Sequence, residues 1–244
     1  NINIDIQNLI CINILTGLVD ENYLHNLWIQ KVKKVFAQKK AGHSGTLDPL
    51  ATGLLPIFFG EATKVTSYLL NASKTYHVIA KLGVRTDSGD SDGNIIEERN
   101  PLKIKLSDFN KIIKKFEGES YQTPPMYSAI KINGKRLYQY AQKGKTIERK
   151  ARKIFLHNIK IINLSSDEFE IELKCSKGTY VRTLIEDMAE NMGNLAYVKM
   201  LRRTNIDLLD GYSIYNYKQI KNMSKLQLEK CLYPLDIALK ELPK

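Results

Sequence analysis

The sequence predicts an α/β fold, with helices and strands mixed on a mixed sheet. Three observations carry this expectation. Strand signals recur as strict alternation, as where Phe169, Ile171, Leu173 and Cys175 interleave with Glu168, Glu170, Glu172 and Lys174. Helical stripes recur beside them, as in Val181, Leu184, Ile185, Met188, Ala189 and Met192, stopped by Gly193. The two kinds of segment alternate without a strict βαβ rhythm, and no repeat, low-complexity tract or linker divides the 244 residues. A hydrophobic content of 43% is enough to fill a real core.

In chain order, Ile2, Ile4, Ile6 and then Ile10, Ile12, Ile14 alternate with polar residues and predict one or two strands, with a turn over Gly17 and Asp20 to Asn22. Trp28, Val32, Val35 and Phe36 predict an amphipathic helix ended by Gly42, its outer side carrying Lys31, Lys33, Lys34, Lys39 and Lys40. Gly60 precedes a second helix, Glu61 to Leu70, with Ala62, Val65, Tyr68 and Leu69 inward. Tyr76, Val78, Ala80, Leu82 and Val84 lie on one face of a strand, with Tyr76 at its start. The loop Arg85 to Asn94 carries Asp87, Asp90, Asp92 and Gly93. In an EF-hand register it would have Ser88 first and Arg99 last, without the acidic first ligand and final glutamate that calcium needs, so it reads as a polar turn.

Ser107 is expected to cap a helix with Phe109, Ile112, Ile113 and Phe116 inward and Gly118 as its stop. Pro124-Pro125 stiffens the approach to a strand from Tyr127 to Ile132. Ile154 to Leu164 and Glu168 to Cys175 form a hairpin, and a glycine turn then leads into a helix with Tyr180 and Arg182 in its first turn. Arginine there opposes the helix dipole, which suggests another task, such as holding an anion. Short helices follow over Ser224 to Leu232 and Leu235 to Leu242.

Lys and Arg outnumber Asp and Glu by 37 to 26, giving +11, which favours a polyanionic partner such as nucleic acid. From Lys131 to Lys153 there are nine basic residues against one acid, Glu148, with Tyr138 and Tyr140 among them; such interleaving suits phosphate contact plus base or sugar packing. No run of apolar residues is long enough to span a membrane, and the N-terminus lacks the features of a secretory signal. Cys11, Cys175 and Cys231 are odd in number and widely spaced, which fits a reducing compartment. His25, His43, His77 and His157 show no metal-ligand spacing, so no metal is expected. The abundance of Ile, Lys and Asn fits the base composition of the gene rather than a function.

Residues 42–56, Gly-His-Ser-Gly-Thr-Leu-Asp-Pro-Leu-Ala-Thr-Gly-Leu-Leu-Pro, present one carboxylate, Asp48, on a path shaped by glycine and proline. Two readings of Asp48 stand side by side. It is the cap of a helix from Leu50 to Leu55 with Pro49 in the first position, or it is a catalytic group. Phosphate-loop, dinucleotide and serine-nucleophile motifs are all absent, which leaves Asp48, the tyrosines and the basic surface to carry any chemistry.

Gly42 to Pro56 with Gly60-Glu-Ala-Thr-Lys64 resembles the aspartate motif of the TruB family of pseudouridine synthases, which modify the T-loop uridine at position 55 of tRNA. The resemblance continues through Lys74-Thr-Tyr76, Leu82-Gly83, Pro125-Met-Tyr-Ser-Ala-Ile-Lys131, Gly134-Lys-Arg-Leu-Tyr138, Cys175 to Arg182 and Leu201-Arg-Arg-Thr204, covering about residues 29–204. It implies a pseudouridine-synthase-like catalytic domain over residues 1–210, built on a mixed, largely antiparallel central sheet flanked by helices. It also implies that Asp48 begins cleavage of the C1′–N1 bond, that Arg182 pairs with it, and that Tyr76 stacks on the base and helps remove the C5 proton. Tyr180 and Leu201 are implied to line the uridine pocket, His43 to pack against the flipped-out RNA loop, and Lys131 to be a lesser pocket residue. The implied partner is the T-arm of tRNA, met by a monomer without metal, cofactor or membrane, in the cytoplasm or an organelle. Two departures accompany this. The family's Lys-Pro turn is missing around Leu18 to His25, and residues 211–244 are expected to be a short helical segment, too short for a complete PUA domain. A guide-RNA-dependent relative of the dyskerin type would be expected to need that PUA region, and a binding-only protein would not need Asp48, Tyr76 and Arg182 together.

Overall fold

The alternating and helical patterns take form in the computed structural model, which describes residues 8–14, 24–209 and 211–234. The chain runs β1 (Asn8–Ile14), α1 (Leu24–Val35), β2 (Ala41–His43), β3 (Thr52–Phe59), a 3₁₀ helix (Gly60–Val65), α2 (Thr66–Asn71) and β4 (Lys74–Leu82). Next come β5 (Val84–Thr86), β6 (Ile95–Glu98), α3 (Leu106–Lys114), β7 (Gly118–Gln122), β8 (Lys131–Ile132), β9 (Lys135–Arg136) and α4 (Leu137–Ala141). The described residues continue with β10 (Arg152–Leu164), β11 (Glu168–Cys175), α5 (Val181–Asn191), β12 (Ala196–Ile206), β13 (Ile214–Asn216), α6 (Tyr217–Lys221), α7 (Lys225–Lys230) and β14 (Tyr233–Pro234). The expected strand signal at Ile2 to Ile6, the turn at Gly17 to Asn22, nearly all of the Leu18 to His25 departure and the helix at Leu235 to Leu242 lie outside the described residues.

Two compact units form, one from residues up to Tyr76 together with those from Arg202 onward, the other from His77 to Leu201. In the first, the strand order is β13-β1-β3-β12, with β14 on β1 and β2 on β3. β1 is antiparallel to β3 and parallel to β13, and β3 is parallel to β12 where Thr52 faces Arg202 and Gly53 faces Arg203. β3 reads Thr-Gly-Leu-Leu-Pro-Ile-Phe-Phe, a continuous apolar run buried from Gly53 to Phe59, as expected of a strand covered on both faces. Leu54, Phe58, Ala62, Leu69, Ile206 and Leu209 cluster in this unit's core.

In the second unit the order is β4-β11-β10-β7, with β10 antiparallel to both β11 and β7. The alternating residues Phe169, Ile171, Leu173 and Cys175 are all buried, and the α5 stripe Val181, Leu184, Ile185, Met188, Ala189 is buried with them. Phe109 of α3 packs on Phe169 with ring centroids 5.1 Å apart. The sheet pairings are mixed and largely antiparallel with helices beside them, as expected.

Several local expectations are corrected. The helix expected from Leu50 to Leu55 is strand β3, because the apolar run after Asp48 is continuous rather than helically spaced. The helix from Glu61 begins as a 3₁₀ turn, whose tighter period shifts the phase and leaves Tyr68 52% exposed instead of inward. Val84 begins β5 after a left-handed Gly83, so it leaves the β4 face. Lys105, not Ser107, occupies the N-cap of α3, its carbonyl accepting from the Asp108 amide. The strand expected from Tyr127 is a loop until Lys131.

Gly42 does not end α1; it lies within β2. The helix stops instead at Ala37, which is left-handed at φ 51°. Gln38 N–H donates to the Lys33 carbonyl at 2.9 Å and Ala37 N–H to the Lys34 carbonyl at 3.1 Å, the bonds of a Schellman cap normally built on glycine. A Cβ in this conformation costs about 1–2 kcal/mol, whereas glycine adds about 0.4–1 kcal/mol of unfolded-chain entropy. Ala37→Gly is therefore expected to raise stability by about 0.5–1 kcal/mol, read as a higher urea midpoint at unchanged m-value.

Candidate active site

The Asp48 loop is built by a turn. The Ala51 N–H donates to the Asp48 carbonyl at 2.8 Å, closing a β-turn with Pro49 in its second position, where its fixed φ fits. The helix-cap reading of Asp48 therefore falls, and its half-buried carboxylate is set on a rigid turn feeding β3.

What anchors this loop is Arg203, 1% exposed, on β12. Its Nε donates to the Leu54 carbonyl at 2.8 Å and its Nη2 to the Gly45 carbonyl at 2.9 Å, so one guanidinium grips the chain on both sides of Asp48. It also shares a side-chain hydrogen bond with Tyr76 and feels the charge of Asp48; both hold its proton, against a burial that lowers its pKa. Two glycines make room. A Cβ on Gly53, at φ 105°, would lie 2.1 Å from the Arg203 carbonyl oxygen, and one on Gly45, at φ 80°, would lie 3.2 Å from its Nη1. In the sequence Arg203 stands only as part of Leu201-Arg-Arg-Thr204, and no local signal marks it as a residue serving Asp48 and Tyr76.

Tyr76 lies on β4, half-buried. The start of that strand is fixed by Lys74, 6% exposed, whose ammonium donates to the carbonyls of Leu69, Leu70 and Ala72 at 3.1, 2.8 and 2.6 Å. A cation thus closes the C-terminal end of α2, where the dipole favours it. His43 ends β2; burial, and then the charge of Arg203, lower its pKa, so the ring is neutral at pH 7.

The other expected site residues belong to the second unit. Arg182, 4% exposed, lies in the first turn of α5. Its Nη1 donates to the Ser88 carbonyl at 2.7 Å and lies 3.3 Å from the Asp90 carboxylate, and its Nη2 donates to the Tyr127 carbonyl at 2.9 Å. The acidic loop read as a polar turn is thus the cradle of this arginine. It is held on β12 by Ser91 N–H donating to the Val198 carbonyl at 3.1 Å and Val198 N–H to the Gly89 carbonyl at 3.0 Å. Burial raises the pKa of Asp90, while Ser88 and Arg182 oppose the rise.

Tyr180 is the N-cap of α5, its backbone pinned by Gln122, which accepts from the Tyr180 N–H at 2.8 Å and donates to its carbonyl at 3.0 Å. Leu201 is buried at 3% exposure on β12. Lys131 is exposed on β8, which pairs with β9 around Asn133-Gly134. Beside Arg182, Glu186 packs near Gly89, and its pKa is pushed up to about 7 by burial, aided by Asp187 and Glu190 and opposed by Arg85 and Arg182. Among the described residues no cluster of His, Cys, Asp and Glu could hold a metal ion, and no helix is long and apolar enough to cross a membrane.

Comparison with known proteins gives this arrangement its class. Residues 33–181 match the family described as TruB family pseudouridylate synthase, N-terminal domain. The chain is 46% identical over 224 residues to tRNA pseudouridine synthase B of Wigglesworthia glossinidia brevipalpis, covering 89% of this chain and 68% of that protein. It is 44% identical to the same-named protein of Vibrio vulnificus strain YJ016, covering 88% and 71%. Its fold resembles a chain in a crystal structure of a Cbf5-Nop10-Gar1 complex, with a TM-score of 0.70 at 23% identity, over 96% of this chain and 61% of that one. The class is that of the pseudouridine synthases. Within it, the chain belongs to the TruB family.

Glu186 carries a testable pH dependence. Its folded pKa of about 7 lies above the unfolded value of 4.5, so its contribution to stability is full below the unfolded pKa and is lost as pH rises towards 7. Glutamine mimics the protonated form. Glu186→Gln is expected to stabilise the protein by about 1–2 kcal/mol at pH 8, allowing for screening, and to change little near pH 4.5. Urea melts at the two pH values give the comparison.

Proposed function

We propose that this synthase isomerises the T-loop uridine at position 55 of tRNA to pseudouridine, with Asp48 as its essential carboxylate. The observation that carries the reading is Asp48 itself, a lone carboxylate mounted on a proline turn and gripped on both flanks by a buried arginine that also bonds Tyr76.

In the proposed reaction Asp48 begins cleavage of the C1′–N1 bond. The base turns in place, C1′–C5 forms, the C5 proton leaves and N1 ends protonated. Substrate and product are isomers, so the balance requires no oxidant, reductant or group donor. Tyr76 stacks on the base and helps remove the C5 proton. Arg182 serves the reaction as the family's arginine, while Tyr180 and Leu201 line the uridine pocket, His43 packs as a neutral ring against the flipped RNA, and Lys131 plays a lesser part. Extracting the uridine costs a few kcal/mol, which phosphate contacts and stacking offset. The lysines on and just after α1 and the exposed basic stretch from Lys131 to Lys153 are the proposed sources of those contacts. The protein is proposed to act as a monomer.

An unmodified tRNA transcript tests the proposal. Wild-type protein is expected to form pseudouridine at position 55, and Asp48→Asn to lower the rate on the order of 10³-fold or more while still binding tRNA. Binding without product by wild type would sink the enzymatic reading; full activity of Asp48→Asn would sink the site. Affinity is also expected to fall at least ~10-fold between about 50 and 200 mM salt, measured by filter binding.

A further inference from the structure

We infer that Arg203 is a positioning residue for the reaction, fixing the Asp48 turn and the Tyr76 hydroxyl relative to each other through one rigid guanidinium. The inference rests on the proposed role of Asp48 and Tyr76. Three directions of the planar fork are engaged: Nε to Leu54, Nη2 to Gly45, and a side-chain bond to Tyr76. The two carbonyls bracket Asp48, so a shift of the fork moves the carboxylate and the tyrosine together.

Core stability alone gives a poor account of this choice. A buried cation carries a desolvation penalty that an apolar side chain of similar volume avoids. The neighbouring loop nevertheless leaves room for it, with glycine at Gly45, where a Cβ would lie 3.2 Å from the guanidinium Nη1. Lysine would keep the charge but, as a point donor, could not reproduce the fork.

The test uses the full chain and single-turnover pseudouridine formation on an unmodified tRNA transcript, with tRNA affinity and melting temperature measured alongside. Arg203→Lys is expected to lower the rate on the order of 10²-fold with affinity for tRNA within about threefold, as displacement of a catalytic constellation does. In a Tyr76→Phe background the further loss is expected to be several-fold smaller, since the shared hydroxyl is already gone. Should Arg203→Lys melt below the assay temperature, Gly45→Ala presses on the fork and strains the left-handed turn that the fork holds, and is expected to slow the reaction about tenfold or more. A folded Arg203→Lys with the wild-type rate, equal losses with and without the Tyr76 hydroxyl, or an unimpaired Gly45→Ala would each overturn the inference. Inactive wild-type protein would instead overturn the proposed function, so the two failures are distinct.

Discussion

A guanidinium taken out of water must recover several kcal/mol of lost hydration from the groups around it. Arg203 does so with two backbone carbonyls, a tyrosine and the charge of Asp48. Hydrogen bonds from a charged donor contribute about 1.5–3 kcal/mol each, so two or three of them roughly offset the penalty and leave little surplus. The value of the arrangement is geometric. The Gly45 carbonyl of the irregular Asp48 loop would otherwise need a partner of its own, and the loop would have no fixed place beside β3 and β12.

The second unit solves a similar problem differently. Arg182 is nearly as buried, but it has a carboxylate, Asp90, within 3.3 Å and takes two carbonyls as well. The Asp90 loop is itself hydrogen-bonded to β12, so the arginine is held by a loop that is held by a strand. This removes the conflict of a cation with the α5 dipole, because a negative group lies at the same helix end.

Where side-chain period decides the structure, the sequence is readable: the β11 alternation and the α5 stripe emerge buried as their spacing requires. Where period fails, local rules mislead. Asp48-Pro49 satisfies a helix start and a type I turn equally well, and the choice is made by strand partners for Thr52–Phe59 that lie far away in sequence. Tyr68 turns outward because a 3₁₀ turn upstream changes the count. The candidate site divides the same way. Asp48, Tyr76 and Arg182 could be picked out by resemblance, whereas the side chains of Arg203 and Gln122 act largely on backbone groups of residues far away in sequence, which motifs do not display.

Gly53 has a consequence at the level of the gene. Every amino acid that a single base change can substitute for glycine carries a Cβ, and at Gly53 that atom would lie 2.1 Å from a backbone oxygen that has nowhere to retreat within paired strands. The Ile, Lys and Asn abundance of the chain fits a gene rich in A and T, a composition that disfavours the G-rich glycine codons. At this codon, then, mutational pressure and steric necessity pull in opposite directions, and lineages that lose the glycine should lose the parallel β3–β12 contact with it.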